Sequence, residues 1–308
     1  MGNIIEVKGL VKSYGKVTAV DRIDFVVEEG TMFAFLGPNG AGKSTTINII
    51  CTILGKDEGS IEVNGYKSGE QDDDIRRSIG VVFQNSVLDN LLTVRENIEV
   101  RASFYGIKGV ELKKRISTLI EVVGLGDYIN RPYGKLSGGQ RRRADIARSL
   151  VNTPKVLFLD EPTTGLDPQT RLKVWSTISD MQRQEKMTVF LTTHYMEEAA
   201  AADDVAIIDH GRIVAQGSPA QLKAQHSNDL LIIVPKDGKV LEAMLESSCR
   251  SFSHKADTIE VPVHDSLDAL SALKLLEPEV ASFEVIKGNM DTVFMSVTGR
   301  AIRGEEEE

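Results

Sequence analysis

Three short stretches of this chain carry residue types that can act on phosphate. Gly37-Pro38-Asn39-Gly40-Ala41-Gly42-Lys43-Ser44 follows the pattern G-x-x-x-x-G-K-[ST]. Its glycines let backbone N–H groups turn inward onto phosphate oxygens. A helix starting at its end adds partial positive charge. Lys43 supplies a point charge for β- and γ-phosphates, and Ser44 a hydroxyl for Mg²⁺. Further along, the apolar run Val156–Leu159 ends in Asp160 and Glu161. A carboxylate at a buried strand tip can hold Mg²⁺ through its water shell. The next carboxylate points another way, so Glu161 can orient or deprotonate a water that attacks the γ-phosphate. The third stretch, Leu136-Ser137-Gly138-Gly139-Gln140, contains an S-x-x-Q capping box. Gly138 and Gly139 allow close approach of a ligand to the backbone. Arg141, Arg142 and Arg143 crowd a first helical turn, where cations oppose the helix dipole. That end is expected to attract an anion, unless the arginines pair with acids elsewhere.

Positioning these groups requires a sizeable core, and the composition allows one. The chain has 308 residues, 41 % apolar and 26 % charged, which excludes collagen-like and wholly disordered classes. No apolar run approaches the roughly 18 residues of a membrane-spanning helix, and Met1–Lys12 lacks a signal-peptide core. Two cysteines, Cys51 and Cys249, suit a reducing compartment; Cys51 reads as core filler. The net charge is −9, four units of it from Glu305–Glu308, which argues against a broad nucleic-acid footprint. That acidic run reads as a solvated tail, 304–308.

Short apolar strands alternate with helical patterns at Met32–Leu36, Ile79–Phe83, Val156–Leu159, Val189–Thr192 and Val205–Ile208. Such continuous apolar strands suit a parallel sheet covered on both faces. The strand Met32–Leu36 precedes the phosphate loop and the helical run Thr45–Leu54 follows it. Ile4–Val7 and Ile23–Val27 read as short strands, with Glu29-Gly30 and Asn64-Gly65 as hairpin turns. Residues 90–150 read as a helical insertion, opened by a T-x-x-E capping box at Thr93 and Glu96. Glu111–Val123 has apolar residues at helical spacing and Gly124 as its C-cap. The texture changes near 222–228. Residues 228–303 read as a small α+β domain, with a strand at Leu230–Val234 and a helix at Lys239–Glu246. A strand over Ile259–Val263 is demoted to an edge by Pro262. Ser266 caps a helix presenting Leu267, Leu270 and Leu273, and Met290–Val297 forms a closing helix.

Together these stretches resemble the nucleotide-binding subunit of an ATP-binding cassette (ABC) transporter over roughly residues 3–222. Leu136–Gln140 matches the LSGGQ signature, Tyr14 the aromatic that stacks on adenine, Gln84 the Q-loop glutamine, Thr164–Asp167 the D-loop and His194 the switch histidine. The resemblance implies an α/β, P-loop NTPase fold of the ABC ATPase type over 1–222, with antiparallel and helical subdomains. It implies an ATPase. ATP would lie with adenine on Tyr14 and phosphates in Gly37, Pro38, Asn39, Gly40, Ala41, Gly42, Lys43, Ser44 and Thr45. Ser44, Gln84 and Asp160 would hold Mg²⁺, Glu161 would act as base and His194 would contact the γ-phosphate. Two such domains would pair head-to-tail, most simply as a homodimer. Ser137, Gly138, Gly139 and Gln140 of one would then close on nucleotide held by the other.

Gln140–Leu150 and Thr192–Ala199 resemble the ATPases of ABC-2 type exporters, among them daunorubicin-resistance-type drug exporters. That branch often carries YSGGM where this chain has LSGGQ. The resemblance implies a separate permease and a place on the cytoplasmic face of the membrane. Asn85–Ile98 lies where the family docks on membrane subunits, and Leu88, Leu91, Leu92 and Val94 offer apolar contacts there or belong to the local core. An importer subunit is the alternative, as is an ABC ATPase acting on nucleic acid or ribosomes. The latter usually carries two cassettes or a long coiled-coil insertion, and this chain has neither.

Overall fold

The computed structural model describes residues 2–299, except the side chains of Gln184 and Glu185; Glu305–Glu308 lies outside the described residues. The chain divides into two compact units between Ser218 and Pro219, upstream of the expected 222–228. The helix Pro219–His226 falls in the second unit because it packs on the closing helix Met290–Thr298. Among the described residues no helix is long and apolar enough to cross a membrane.

The first unit is built on a six-stranded sheet ordered Arg212–Gly217, Asp204–Asp209, Met32–Leu36, Thr188–Thr193, Val156–Asp160, Ile79–Val82. The last five run parallel, and Arg212–Gly217 joins antiparallel to its neighbour. The three central strands are buried along their whole length, as a sheet covered on both faces requires. An antiparallel sheet, ordered Val17–Glu28, Asn3–Tyr14, Glu58–Val63, Tyr66–Lys67, lies against it. Phe25 of this second sheet stacks on Phe33 with ring centroids 5.5 Å apart, and Phe33 stacks on Phe190 at 5.2 Å. Each such buried ring contributes roughly 1.5–3 kcal/mol. The expected strands Ile4–Val7 and Ile23–Val27 are parts of longer strands that turn at Gly15-Lys16. Asn64-Gly65, at φ +52° and +79°, makes the expected hairpin between Val63 and Tyr66. Glu29-Gly30 does not: its strand pairs back on Asn3–Tyr14, and the turn carries the chain into the parallel sheet.

The helical insertion comprises Val94–Ser103, Gly109–Val123 and Gly138–Ser149. Both capping boxes form, at Thr93/Glu96 and at Ser137/Gln140, and Gly124 closes its helix at φ +69°.

In the second unit the sheet order is Ser253–Lys255, Thr258–Val263, Asp229–Pro235, Val280–Ile286, all antiparallel. The helices Gly238–Ser247 and Ser266–Leu276 bury Leu241, Leu245, Ala269, Ala272 and Leu276 against Leu231, Ile233, Ile259 and Val261. Two expectations are corrected here. Asp265 rather than Ser266 caps the second helix, its Oδ1 accepting from the backbone N–H groups of Leu267 and Asp268. Ala269, Ala272 and Leu276 face the core, while Leu267 is 73 % exposed. Pro262 does not make its strand an edge throughout. Ser253–Lys255 pairs with Thr258–Glu260, and only beyond Glu260 does that side of the strand lack a partner among the described residues.

Candidate functional site

The phosphate loop runs from the tip of Met32–Leu36 to the helix Lys43–Ile50, as its pattern requires. Gly42 sits at φ +109°, and a Cβ there would lie 2.4 Å from Ala19 O; a Cβ on Gly37 would lie 2.4 Å from Ile208 O. Backbone neighbours thus make both positions glycine-only. The Lys43 ammonium donates to Gly37 O (2.8 Å) and Pro38 O (3.1 Å) and pairs with Glu161 Oε1 at 3.3 Å. Burial pulls its pKa down, opposed by the charges of Glu161 and Asp160.

The strand Val156–Asp160 delivers both acids. Asp160 is buried and its Oδ1 accepts from Ser44 Oγ (3.2 Å) and Thr192 Oγ1 (2.5 Å). Glu161 follows in the left-handed region at φ +44°, a conformation that costs a non-glycine residue on the order of 1–3 kcal/mol. Its N–H points at Thr192, whose Oγ1 lies 3.1 Å away. Around its Oε2 stand Thr164 Oγ1 (3.1 Å), Gln84 Nε2 (3.4 Å) and His194 Nδ1 (3.5 Å). His194 first, then the Lys43 charge, hold the Glu161 carboxyl at about 2 against desolvation. Gln84 projects just past the edge strand Ile79–Val82, and His194 just past Thr188–Thr193.

Lys43, Ser44, Gln84, Asp160, Glu161 and His194 therefore converge at one end of the parallel sheet. Tyr14 and Ser137–Gln140 are not part of this cluster. Tyr14 ends its strand half-exposed, with Lys12 Nζ 5.9 Å from its ring centroid. Ser137–Gln140 opens the helix Gly138–Ser149. Gly139 has a packing reason to be glycine, since a Cβ would meet Thr170 Cγ2 at 2.2 Å. Among the described residues the arginines following it form no salt bridge with an acid; they are held by backbone carbonyls and aromatic rings. Arg141 donates to Gly134 O (2.7 Å) and lies over Tyr133, Arg143 lies over Tyr128, and Arg142 donates to three backbone carbonyls. Beyond Gln84, Leu88 and Val94 are buried whereas Leu91 is exposed. Asp167, in the Thr164–Asp167 stretch, caps the helix Pro168–Glu185 through Thr170 N–H (3.0 Å).

Among the described residues no three His, Cys, Asp or Glu side chains gather as a metal cage. Ser44 Oγ and the Asp160 carboxylate, adjacent at the loop, form a sparse all-oxygen donor set. That set suits Mg²⁺, which keeps waters and binds together with substrate phosphates.

Other participants lie in or beside the stretches Thr164–Asp167 and Thr192–Ala199, which the sequence singled out without giving these side chains roles. Thr192 and Thr164 orient the two acids. Glu198 is 2 % exposed and accepts hydrogen bonds from Thr163 Oγ1 and from Thr193 Oγ1 (2.6 Å), tying the segment after Glu161 to the one before His194. Burial raises its pKa.

Comparison with known proteins fits this geometry. Residues 20–164 match the family described as ABC transporter. The Daunorubicin/doxorubicin resistance ATP-binding protein DrrA of Streptomyces peucetius is 38 % identical over 96 % of this chain and 92 % of its own length. This chain belongs to the ABC transporter ATP-binding family. The cassette is also 35 % identical to the Nod factor export ATP-binding protein I of Ralstonia nicotianae, over 97 % of this chain and 95 % of that one. Both matches extend through the second unit. Among solved structures, the dimeric ATP-binding cassette MJ0796 in a post-hydrolysis state with ADP and Pi is 31 % identical. It superimposes with a TM-score of 0.64 over 70 % of this chain and 98 % of its own. The cassette is thus an ATP-binding ABC ATPase with the P-loop fold.

Proposed function

We propose that this chain is the ATP-hydrolysing motor of an ABC-2 type exporter of drugs or other hydrophobic compounds. It would work as a head-to-tail pair on the cytoplasmic face of the membrane with a separate permease. The observation carrying this reading is the convergence of Lys43, Gln84 and His194 on the Glu161 carboxylate, with Ser44 on the adjacent Asp160. The names of the relatives, a drug-resistance and an export ATP-binding protein, support the exporter branch over importers.

Tyr14 carries the adenine, and Gly37–Thr45 takes the phosphates with its N–H groups and Lys43. Ser44, Gln84 and Asp160 would hold Mg²⁺, whose charge would neutralise phosphate oxygens. Glu161 is ionised at neutral pH and orients the attacking water, accepting its proton as the bond to the γ-phosphate breaks. His194, next to Glu161, contacts the γ-phosphate. Ser137, Gly138, Gly139 and Gln140 complete the site of a second copy. Asn85–Ile98 meets the permease, with the exposed Leu91 as an apolar contact.

Mixing two variants tests the pairing. Lys43→Ala and Ser137→Arg chains are each inactive alone, and their mixture regains turnover from one intact composite site. Failure of the mixture to recover, with both variants folded, refutes the head-to-tail arrangement. Nucleotide-driven accumulation of hydrophobic drug in inverted vesicles carrying this chain and its co-purified permease tests the export direction; drug leaving those vesicles would favour an importer.

A further inference from the structure

Arg142 lies inside the helix that Ser137–Gln140 opens, and it is 7 % exposed. Its guanidinium is spread over three backbone carbonyls. Nη1 donates to Phe83 O at 2.6 Å, Nε to Pro162 O at 2.6 Å and Nη2 to Asp160 O at 2.9 Å. Phe83 immediately precedes Gln84, and Asp160 and Pro162 flank Glu161 on either side. One turn further along the same helix, buried Asp145 accepts from Ser86 Oγ at 2.6 Å and from Tyr133 OH at 3.1 Å. The helix therefore grips the Gln84 loop both before and after the glutamine. Through Arg142 it also grips the turn that presents Glu161.

The chemistry of the clamp is specific to arginine. A guanidinium has five donors in a rigid planar fork, whereas an ammonium is a point charge on a flexible stem. Burial lowers the pKa of Arg142, and the Asp145 and Asp160 charges oppose that shift. Three carbonyls would otherwise face the interior with no such donor, and Glu161 would keep its left-handed backbone with less support.

We propose that Arg142 is a positioning residue for hydrolysis. It locks the backbone of Gln84 and of Glu161 to each other and to the helix tip that serves the second copy. The inference rests on the roles given above to Glu161 and Gln84. Its own content is that the two groups are held in register by one side chain that touches neither the nucleotide nor the water.

The test is single-turnover hydrolysis in the purified full-length chain, comparing wild type, Arg142→Lys, Glu161→Gln and the double variant. Rates are expressed per bound nucleotide, with folding checked by circular dichroism. Arg142→Lys lowers the rate about 10- to 100-fold, the scale of an ångström-level misplacement. Its KM stays within about threefold of wild type, because binding by the phosphate loop is untouched. In the Glu161→Gln background the same substitution adds little, since the group it positions is already disabled. A per-site rate for Arg142→Lys within twofold of wild type overturns the proposal. So does a fully multiplicative loss in the double variant. Arg142→Gln, with a two-donor amide, is the second variant; loss of the fold in both would make the residue structural and end the idea. Near-wild-type turnover of Glu161→Gln alone would instead refute the role of Glu161, independently of the Arg142 comparison.

Discussion

The Lys43–Glu161 pair makes a quantitative prediction about nucleotide and stability. The two charges are 3.3 Å apart, with side chains 5 % and 7 % exposed. At an effective dielectric of about 20 such a pair attracts by about 5 kcal/mol, much of it offset by desolvation. The displacement of the Glu161 pKa from 4.5 to about 2, due first to the His194 hydrogen bond and then to the Lys43 charge, corresponds to about 3 kcal/mol in favour of the ionised carboxylate from both partners together. Glu161→Gln preserves shape and an acceptor for Thr164 but removes the nearest counter-charge from a buried ammonium. Without nucleotide the variant should therefore be about 3 kcal/mol less stable than wild type. At roughly 2–4 °C per kcal/mol for a unit of this size, the first unit should melt about 6–12 °C lower. A triphosphate brings negative charge to Lys43 and restores what the carboxylate supplied. ATP with Mg²⁺ should thus raise the melting temperature of Glu161→Gln by more than it raises that of wild type, by a similar margin. Thermal unfolding followed by calorimetry, with and without ATP, measures both quantities. A variant that melts at or above wild type without ATP, and responds equally to it, would show that the charge of Glu161, with its His194 and Lys43 partners, does not stabilise the fold.

Two further outcomes follow from the same residues. Between pH 4.5 and about 2 the unfolded chain takes up a proton at Glu161 that the folded chain refuses. The Glu161 contribution is fully present above pH 4.5 and is lost as the pH falls through that window, so acid-unfolding curves should be steeper in wild type than in Glu161→Gln. At Gly42, an alanine would have to adopt φ +109° with its Cβ 2.4 Å from Ala19 O. Gly42→Ala should cost at least about 2 kcal/mol and abolish nucleotide binding by equilibrium dialysis; retained micromolar binding would mean that the loop has room to shift.

Much of this cassette was legible because its chemistry is written locally. The phosphate loop, its strand and its helix are contiguous, and the residues Gly37–Ser44 are nearly enough to define the turn that Gly42 makes. The capping boxes at Thr93 and Ser137 are likewise four-residue statements, and both form. What escaped was set by distant packing. Arg142 looked like a cation beside an anion site because its three carbonyl partners come from segments remote in sequence. Glu198 sits inside the matched stretch Thr192–Ala199, but its role shows only once Thr163 and Thr193 are brought to it. Glu29-Gly30 has the residues of a hairpin turn, and only the sheet partners of the flanking strands reveal a crossing. In the second unit, Asp265 and Ser266 are both competent caps, and packing against the sheet, which the local sequence does not encode, buries Ala269 and leaves Leu267 exposed.

The left-handed kink at Glu161 has a consequence of its own. On a regular strand, successive side chains leave on opposite sides, so Asp160 and Glu161 would be parted by the sheet itself. Bending the chain at the second acid lets two adjacent positions serve one ligand in different capacities. The first is anchored to the pleat by Thr192, and the second hangs from a joint with its own orientation. Moving that joint re-aims the second carboxylate without disturbing the first, so a few degrees of backbone rotation at Glu161 can re-aim one acid while Thr192 keeps the other in place.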